Sequence, residues 1–445
     1  MEIKFSDMIK EAGVVGAGGA GFPTNVKLSS KSEYIIVNAA ECEPLIRVDQ
    51  QLLLHYTDDF LAGLQIIADE VQASKAYIAI KAKHTEVIHQ LNKKLVNYPS
   101  IEIYPLQNFY PAGDEQIIVY EVLKKVVPRG GIPLHVGCIV CNVETVINVY
   151  GATKGKSVTS TFVTITGEVN KPSTYELPIG MSFKDALALC GEENLENKVG
   201  ILNGAMMGNI ITDFEMPITK TTKAIILLNS KHLLIKEKSK TIEQVLKQSR
   251  IACIQCQKCT DLCPRDLLGH DVKPHKVMRI ANYGLTDYSG MKTALGCSEC
   301  GACELYSCPN GLSPRQVNKM IKQELRNAGV KIDNEGKEFS ASQMIEYRKI
   351  PVNRLISRIN LEKYDVPAPL ISHNYDLKKV VIPLNQHQGA PAIRIVEQNT
   401  YVEKGQMIAK IDGDKLGANI HASIAGIVTD ISSDSITIES EMEVK

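Results

Sequence analysis

The sequence predicts a multidomain protein of mixed α/β and α+β class, and three observations predict it. Up to about residue 150 amphipathic helix alternates with buried strand. β-rich stretches run from about 160 to 228 and again from about 373 to the end, and two dense cysteine runs lie between them. With 445 residues, 44% of them hydrophobic and 22% charged, the chain has an ordinary globular composition and the length of about three or four domains. Lys+Arg and Asp+Glu both total 50, so the formal net charge is zero and gives no reason to expect nucleic acid as a partner. The opening Met1-Glu2-Ile3-Lys4-Phe5-Ser6-Asp7 lacks a basic segment followed by an apolar one. No apolar run approaches the ~18 residues of a membrane span. The expectation is a cytoplasmic protein with no direct membrane insertion.

In residues 1–155, Phe5, Met8, Ile9 and Ala12 share a helical face. Tyr34-Ile35-Ile36-Val37 and Ala76-Tyr77-Ile78-Ala79-Ile80 read as buried strands, which makes this an α/β domain. Residues 156–230 are β-rich: Val163-Thr164-Ile165 before Gly167, a turn at Pro172, one short helix from Ser182, and a last strand Ala224-Ile225-Ile226-Leu227-Leu228. They read as a small β-grasp-like module. Residues 240–330 hold the cysteine runs and close with a helix capped by Ser313, begun by Pro314, faced by Val317, Met320, Ile321 and Leu325, and ended at Gly329. The polar stretch 331–372 reads as a linker or wrap-around segment. In 373–445, glycine turns sit between β-branched residues, the pattern of a small β-sandwich.

The cysteine runs are Cys253-x2-Cys256-x2-Cys259-x3-Cys263-Pro264 and Cys297-x2-Cys300-x2-Cys303-x4-Cys308-Pro309. Three thiolates two residues apart can cap three irons of one cubane from a single tight turn, and the fourth ligand must come from elsewhere. In two-cluster [4Fe–4S] ferredoxins the last cysteine of each run serves the other cluster. That rule assigns Cys253, Cys256, Cys259 and Cys308 to the first cluster, and Cys297, Cys300, Cys303 and Cys263 to the second. Disulfides and zinc compete for this pattern. A neutral chain with no export signal argues for a reducing compartment, and zinc needs no third cysteine at this spacing. Cys138 and Cys141 lie in an apolar strand and read as buried thiols, and His270 and His275 as capping or surface residues.

Gly16-Ala17-Gly18-Gly19-Ala20-Gly21-Phe22-Pro23-Thr24 contains a literal G-x-G-x-x-G, but a helix precedes it and Pro23 follows, the wrong context for a Rossmann loop. Glycines this dense still let backbone N–H groups turn toward a phosphate or a ring system. The loop is followed by Tyr34-Ile35-Ile36-Val37-Asn38-Ala39-Ala40-Glu41-Cys42-Glu43-Pro44, then Tyr110-Pro111-Ala112-Gly113-Asp114-Glu115-Gln116, then Val140-Cys141-Asn142-Val143-Glu144-Thr145. These segments together resemble the FMN domain of the flavin subunit of respiratory complex I. The resemblance implies FMN binding by Gly16, Gly18, Gly19, Lys27, Asn38, Glu41, Gly113, Asp114, Asn142 and Thr145. Two positions depart from that family: Ala40 stands where it has a carboxylate and Cys42 where it has a serine.

Thr164-Ile165-Thr166-Gly167-Glu168-Val169-x2-Pro172, with Ile201-Leu202-Asn203-Gly204-Ala205-Met206-Met207-Gly208 and Pro217-x2-Lys220, resembles a soluble-ligand-binding (SLBB) β-grasp module. The order of parts resembles the C subunit of the Rnf electron-transport complex and its soluble relatives. The fold this implies is an FMN domain, an SLBB module, a two-cluster ferredoxin-like helical domain and an all-β barrel-sandwich hybrid. Here the sandwich comes last, the placement found in the corrinoid reductases of propanediol-utilisation microcompartments. That resemblance implies NADH as electron donor, FMN and two [4Fe–4S] clusters as carriers, and a corrinoid as substrate. It further implies an adenosyltransferase and shell proteins as partners and a place inside a bacterial microcompartment. It assigns no catalytic side chain. The cross-ligation yields a test: Cys263→Ser should abolish the electron paramagnetic resonance signal of the cluster held by the 297–303 run and leave the other signal intact. Loss of the 253–259 signal instead would refute the crossed ligand sets.

Overall fold

The structure, a computed structural model, describes residues 4–373 and 375–440. Five strands open the chain: β1 (Tyr34–Ala39), β2 (Lys75–Lys81), β3 (Ile101–Leu106), β4 (Phe109–Tyr110) and β5 (Cys138–Asn142). Four of them form a parallel sheet in the order β3-β2-β1-β5, while β4 lies outside it. Their unbroken apolar runs are explained by helices on both faces. Ile35, Val37, Ile78 and Ile139 pack with residues of the helices Val48–His55, Thr57–Glu70 and Val143–Thr153; Ile36, Ala79 and Val140 pack with the helix Glu115–Leu123. Side chains alternate faces along a strand, so Cys138 and Cys141 enter opposite layers, both as buried free thiols.

From β1 the order runs to β2 on one side and to β5 on the other. Open α/β sheets bind ligands in the crevice outside the carboxyl ends of the strands where the order reverses. At that point Asn38 and Asn142 stand side by side in register.

The next domain has β6 (Ser160–Gly167), β7 (Ser173–Pro178), β8 (Lys198–Leu202), β9 (Asn209–Ile211) and β10 (Ala224–Asn229). A central parallel pair, β6 and β10, is flanked by antiparallel neighbours and covered by the helix Phe183–Leu189, as in a β-grasp. The Ser182 hydroxyl caps that helix by accepting from the Asp185 N–H at 3.0 Å.

In the cysteine-rich domain, helices Ile242–Ala252, Pro274–Tyr283 and Pro314–Asn327 close around Val245, Val277, Met278, Val317, Ile321 and Leu325. The last helix starts at Pro314, but the Ser313 hydroxyl makes no capping bond. The Ser313 carbonyl takes the Gln316 and Val317 N–H groups instead, and the side chain is buried.

The polar stretch after this domain is more ordered than its composition implies. It supplies β11 (Ile350–Pro351) to pair with β4, the helix Val352–Arg358, and β12 (Leu370–Ile371) to extend the β-grasp sheet beside β7. Its buried Ile350, Val352, Leu355, Ile356, Ile359 and Leu361 share one core with Tyr110, Met206 and Cys300. The strap is therefore glued across three domains, its helix through the i, i+3, i+4, i+7 face of Val352, Leu355, Ile356 and Ile359.

The final domain comprises β13 (Lys379–Pro383), β14 (Ile393–Arg394), β15 (Tyr401–Val402), β16 (Met407–Lys410), β17 (Ile420–His421), β18 (Gly426–Ile431) and β19 (Ser435–Glu439). They make two small sheets, β13-β19-β18-β15 and β14-β16-β17. The sandwich docks on the glycine loop, where the Gln388 N–H donates to the Gly21 carbonyl at 3.1 Å. Lys220 of the β-grasp domain donates to the carbonyls of Gly13 and Asn419, each at 2.7 Å, which ties three domains at the loop's root. Burial without a carboxylate lowers the pKa of this amine to about 7.

Among the described residues no helix is long and apolar enough to cross a membrane. Because Leu355 is fully buried in the shared core, Leu355→Ala should cost about 2–5 kcal/mol and lower the first thermal transition of the anaerobic protein. An unchanged transition would show that the strap is not part of the cooperative fold.

Candidate functional site

The glycine loop is a tight hairpin closed by the Gly16 N–H on the Phe22 carbonyl at 2.9 Å. At its tip the N–H groups of Gly18, Gly19, Ala20 and Gly21 donate to no protein acceptor among the described residues. Gly19 has open space where a side chain would be, whereas a Cβ on Gly18 would come within 2.8 Å of the Asn142 amide. The tip thus presents a run of free N–H donors beside the end of β5, donors of the kind a phosphate takes.

The other expected positions gather around the same crevice. The Thr145 hydroxyl accepts from the Ala17 N–H at 3.0 Å, and the Asn38 amide donates to the Gly113 carbonyl at 2.8 Å. Lys27 donates to the Val140 carbonyl at 2.8 Å and pairs with Glu115 at 3.3 Å, so its ammonium lies between the 113–115 turn and β5. The Asp114 carboxylate is turned away. It caps the helix Glu115–Leu123 through the Gln116 and Ile117 N–H groups and pairs with Arg265 at 2.8 Å, leaving the Gly113 peptide to face the crevice.

Beneath the crevice lies a buried charge cluster that sequence reasoning finds only in part. Glu41 accepts from the Asp49 N–H at 2.8 Å and from the Gln50 amide at 2.6 Å, and the Asn142 amide donates to the Asp49 carboxylate at 3.1 Å. Burial, reinforced by Glu41, pushes Asp49 up to about 7. Burial likewise raises Glu41 and lowers Lys223, which pairs with Glu144, to about 7. Glu144 lies within a segment already singled out, but nothing in the local pattern marks Asp49 or Lys223. These residues fit FMN: free N–H groups for the phosphate, amides and carboxylates at the strand ends for the ribityl chain and ring. When bound, a flavin supplies the exchange between a two-electron donor and one-electron acceptors.

The eight run cysteines form two groups. Cys253, Cys256, Cys259 and Cys308 line one cavity near the surface, with Cys256 exposed. Cys263, Cys297, Cys300 and Cys303 lie close enough to raise one another's pKa and are mostly buried. Burial, helped by neighbouring thiols, pushes Cys259 and Cys300 up to about 12. Thiols so disfavoured as anions ionise together only against a cationic core, which an iron–sulfur cluster provides. Among the described residues no three His, Cys, Asp or Glu side chains converge as they would on a single ion. Four thiols spread around a cavity suit a larger inorganic core better than zinc.

The buried quartet abuts the flavin domain. The buried Tyr110 hydroxyl, on β4, donates to the Cys300 carbonyl, and Arg265, two residues past Cys263, reaches Asp114. Glu43 accepts from the N–H groups of Met206 and Met207 at 2.8 and 2.9 Å, while Arg315 donates to the Met206 carbonyl at 2.8 Å. The 203–208 loop of the β-grasp module is therefore a joint between the flavin and cysteine-rich domains. His270 is not a surface residue: it is buried, its ring nitrogen bonds the Val127 carbonyl at 2.9 Å, and burial lowers its pKa to about 4. His275 bonds Thr260 at 2.7 Å beside the exposed quartet.

Comparison with known proteins agrees domain by domain. Residues 9–151 match the Nuo51 FMN-binding domain, 162–209 the SLBB domain, 252–313 a 4Fe-4S dicluster domain, and 363–444 the RnfC barrel sandwich hybrid domain. Fold and site define a flavin and iron–sulfur electron-transfer oxidoreductase. Over 434 residues the chain is 40% identical to the cobalamin reductase PduS of Citrobacter freundii, covering 97% of this chain and 95% of that protein. It is 39% identical over the same length to PduS of Salmonella typhimurium. A component of the Na+-translocating ferredoxin:NAD+ oxidoreductase complex of Acetobacterium woodii, its C subunit, is 31% identical over 265 residues, 58% of this chain and 57% of that protein. The chain belongs to the PduS family.

Gly18→Val should lose FMN, measured by the flavin-to-protein ratio after anaerobic purification, while iron content is retained. Stoichiometric flavin in that variant would place the pocket elsewhere.

Proposed function

We propose that this protein reduces a corrinoid with electrons from NADH, passed through FMN and two [4Fe–4S] clusters. The observation that carries the relay is the gradient of burial. The crevice meets the buried quartet across Tyr110 and Arg265, and the other quartet reaches the surface at Cys256. The order of travel is then flavin, the cluster of Cys263, Cys297, Cys300 and Cys303, and the cluster of Cys253, Cys256, Cys259 and Cys308. Asn38, Asn142, Thr145 and the glycine loop would hold the flavin, and Lys27, now bonded to the Val140 carbonyl and Glu115, would supply positive charge at the same crevice. The corrinoid role rests on the names of the family's relatives. The reduced corrinoid would pass to an adenosyltransferase that restores the cofactor of a diol or glycerol dehydratase, within a microcompartment whose shell proteins are neighbours.

The test is anaerobic steady-state reduction of cob(II)alamin by NADH, alongside iron, sulfide and FMN analysis. The expected content is about eight iron per chain, from two cubanes. Cys256→Ser should keep flavin bleaching by NADH and lose corrinoid reduction. Wild-type turnover in that variant would make the flavin the direct donor and overturn the relay.

A further inference from the structure

A second cavity lies outside the flavin crevice and the thiol-lined cavity. It is an open cleft of about 690 Å³ lined by Lys258, Leu262, Tyr306, Arg354 and Arg358 among others, within the ~300–1,000 Å³ of small-molecule sites. Three features single it out. Lys258, Leu262 and the lining Ser307 immediately precede Cys259, Cys263 and Cys308, so the cleft wall is the backbone that carries thiols of both quartets. Tyr306 lies in a π-helical turn, Ala302–Ser307, a distortion often found at functional sites. Lys258, Arg354 and Arg358 have no carboxylate partner among the described residues, and the lining Asp261 is paired with Arg348. Three cations thus share one open space beside an aromatic and an aliphatic face.

We propose that this cleft is the docking site of the corrinoid, with Lys258, Arg354 and Arg358 holding the phosphodiester of its nucleotide loop and Leu262 and Tyr306 meeting the macrocycle. The assignment rests on the corrinoid-reductase reading and deepens it. Guanidinium groups suit phosphate by their planar, forked donors, and the cleft brings the acceptor against the backbone of the cluster ligands. Each step adds one electron to cobalt, Co(III) to Co(II) and then Co(II) to Co(I), with loss of an axial ligand. Two such one-electron steps would consume one NADH, leaving NAD+ and a proton, with the clusters held by this chain's thiol quartets as the one-electron carriers and the axial ligand released to solvent.

The test is equilibrium dialysis of hydroxocobalamin, and of cobinamide, which lacks the nucleotide loop, against the anaerobic holoprotein with FMN and iron content matched. Arg354→Glu and Lys258→Glu should each weaken cobalamin binding about tenfold and raise KM for cob(II)alamin in parallel, with cobinamide binding changed less than twofold. Arg354→Lys should recover most of the loss. Equal weakening of both corrinoids, or no weakening of either, overturns phosphate recognition in the cleft. If the variants bind cobalamin normally but lose reduction of an acidic ferredoxin, the cleft serves a protein partner and the assignment fails. Wild-type protein that neither binds nor reduces any corrinoid would instead overturn the reading on which the assignment rests.

Discussion

The architecture depends on one buried seam, where the flavin domain is locked to the inner thiol quartet. Electron transfer between centres falls steeply with separation, so the two must be held together by groups that tolerate burial. Arg265 and Asp114 do this as an ion pair at 2.8 Å, with side-chain exposures of 12% and 9%. Asp114 simultaneously caps the helix Glu115–Leu123, which makes the flavin-side turn and the interdomain bond one object. Removing one partner of such a pair leaves a buried charge, costing about 3–5 kcal/mol. Tyr110 adds a hydroxyl bond to the Cys300 carbonyl from the flavin-domain strand β4.

Around that seam the remaining domains act as clamps. The β-grasp domain inserts Met206 between Glu43 and Arg315, the strap covers Tyr110 through β11, and the sandwich holds Gly21 of the glycine loop. Under the crevice, Asp49 and Lys223 are each brought to about 7 by burial.

What is legible in the sequence is local. Cysteine spacing within a turn fixes ligand geometry over ten residues, and glycine density marks a backbone that must approach a ligand, so both motifs can be read without the fold. Strands β1 and β2 follow from apolar runs. The pairing of Asn38 with Asn142 depends on strand order, and the roles of Asp49, Lys223, Tyr110 and Arg265 depend on surfaces brought together from distant segments; no period or spacing encodes them. The strap does carry one short helical period, Val352, Leu355, Ile356 and Ile359, on a single buried face, but its short strands β11 and β12 pair with distant segments and leave no local pattern. His270 misleads for a related reason: the carbonyl that receives it, Val127, belongs to another domain.

The most direct test of the relay is time-resolved. Anaerobic Cys297→Ser protein, which retains the outer quartet, would be mixed with NADH and followed by stopped-flow absorbance for flavin and freeze-quench electron paramagnetic resonance for the outer cluster. The account predicts flavin bleaching at the wild-type rate while the outer cluster stays oxidised. Reduction of the outer cluster at the wild-type rate would contradict it, because electrons would then reach the surface without passing the seam.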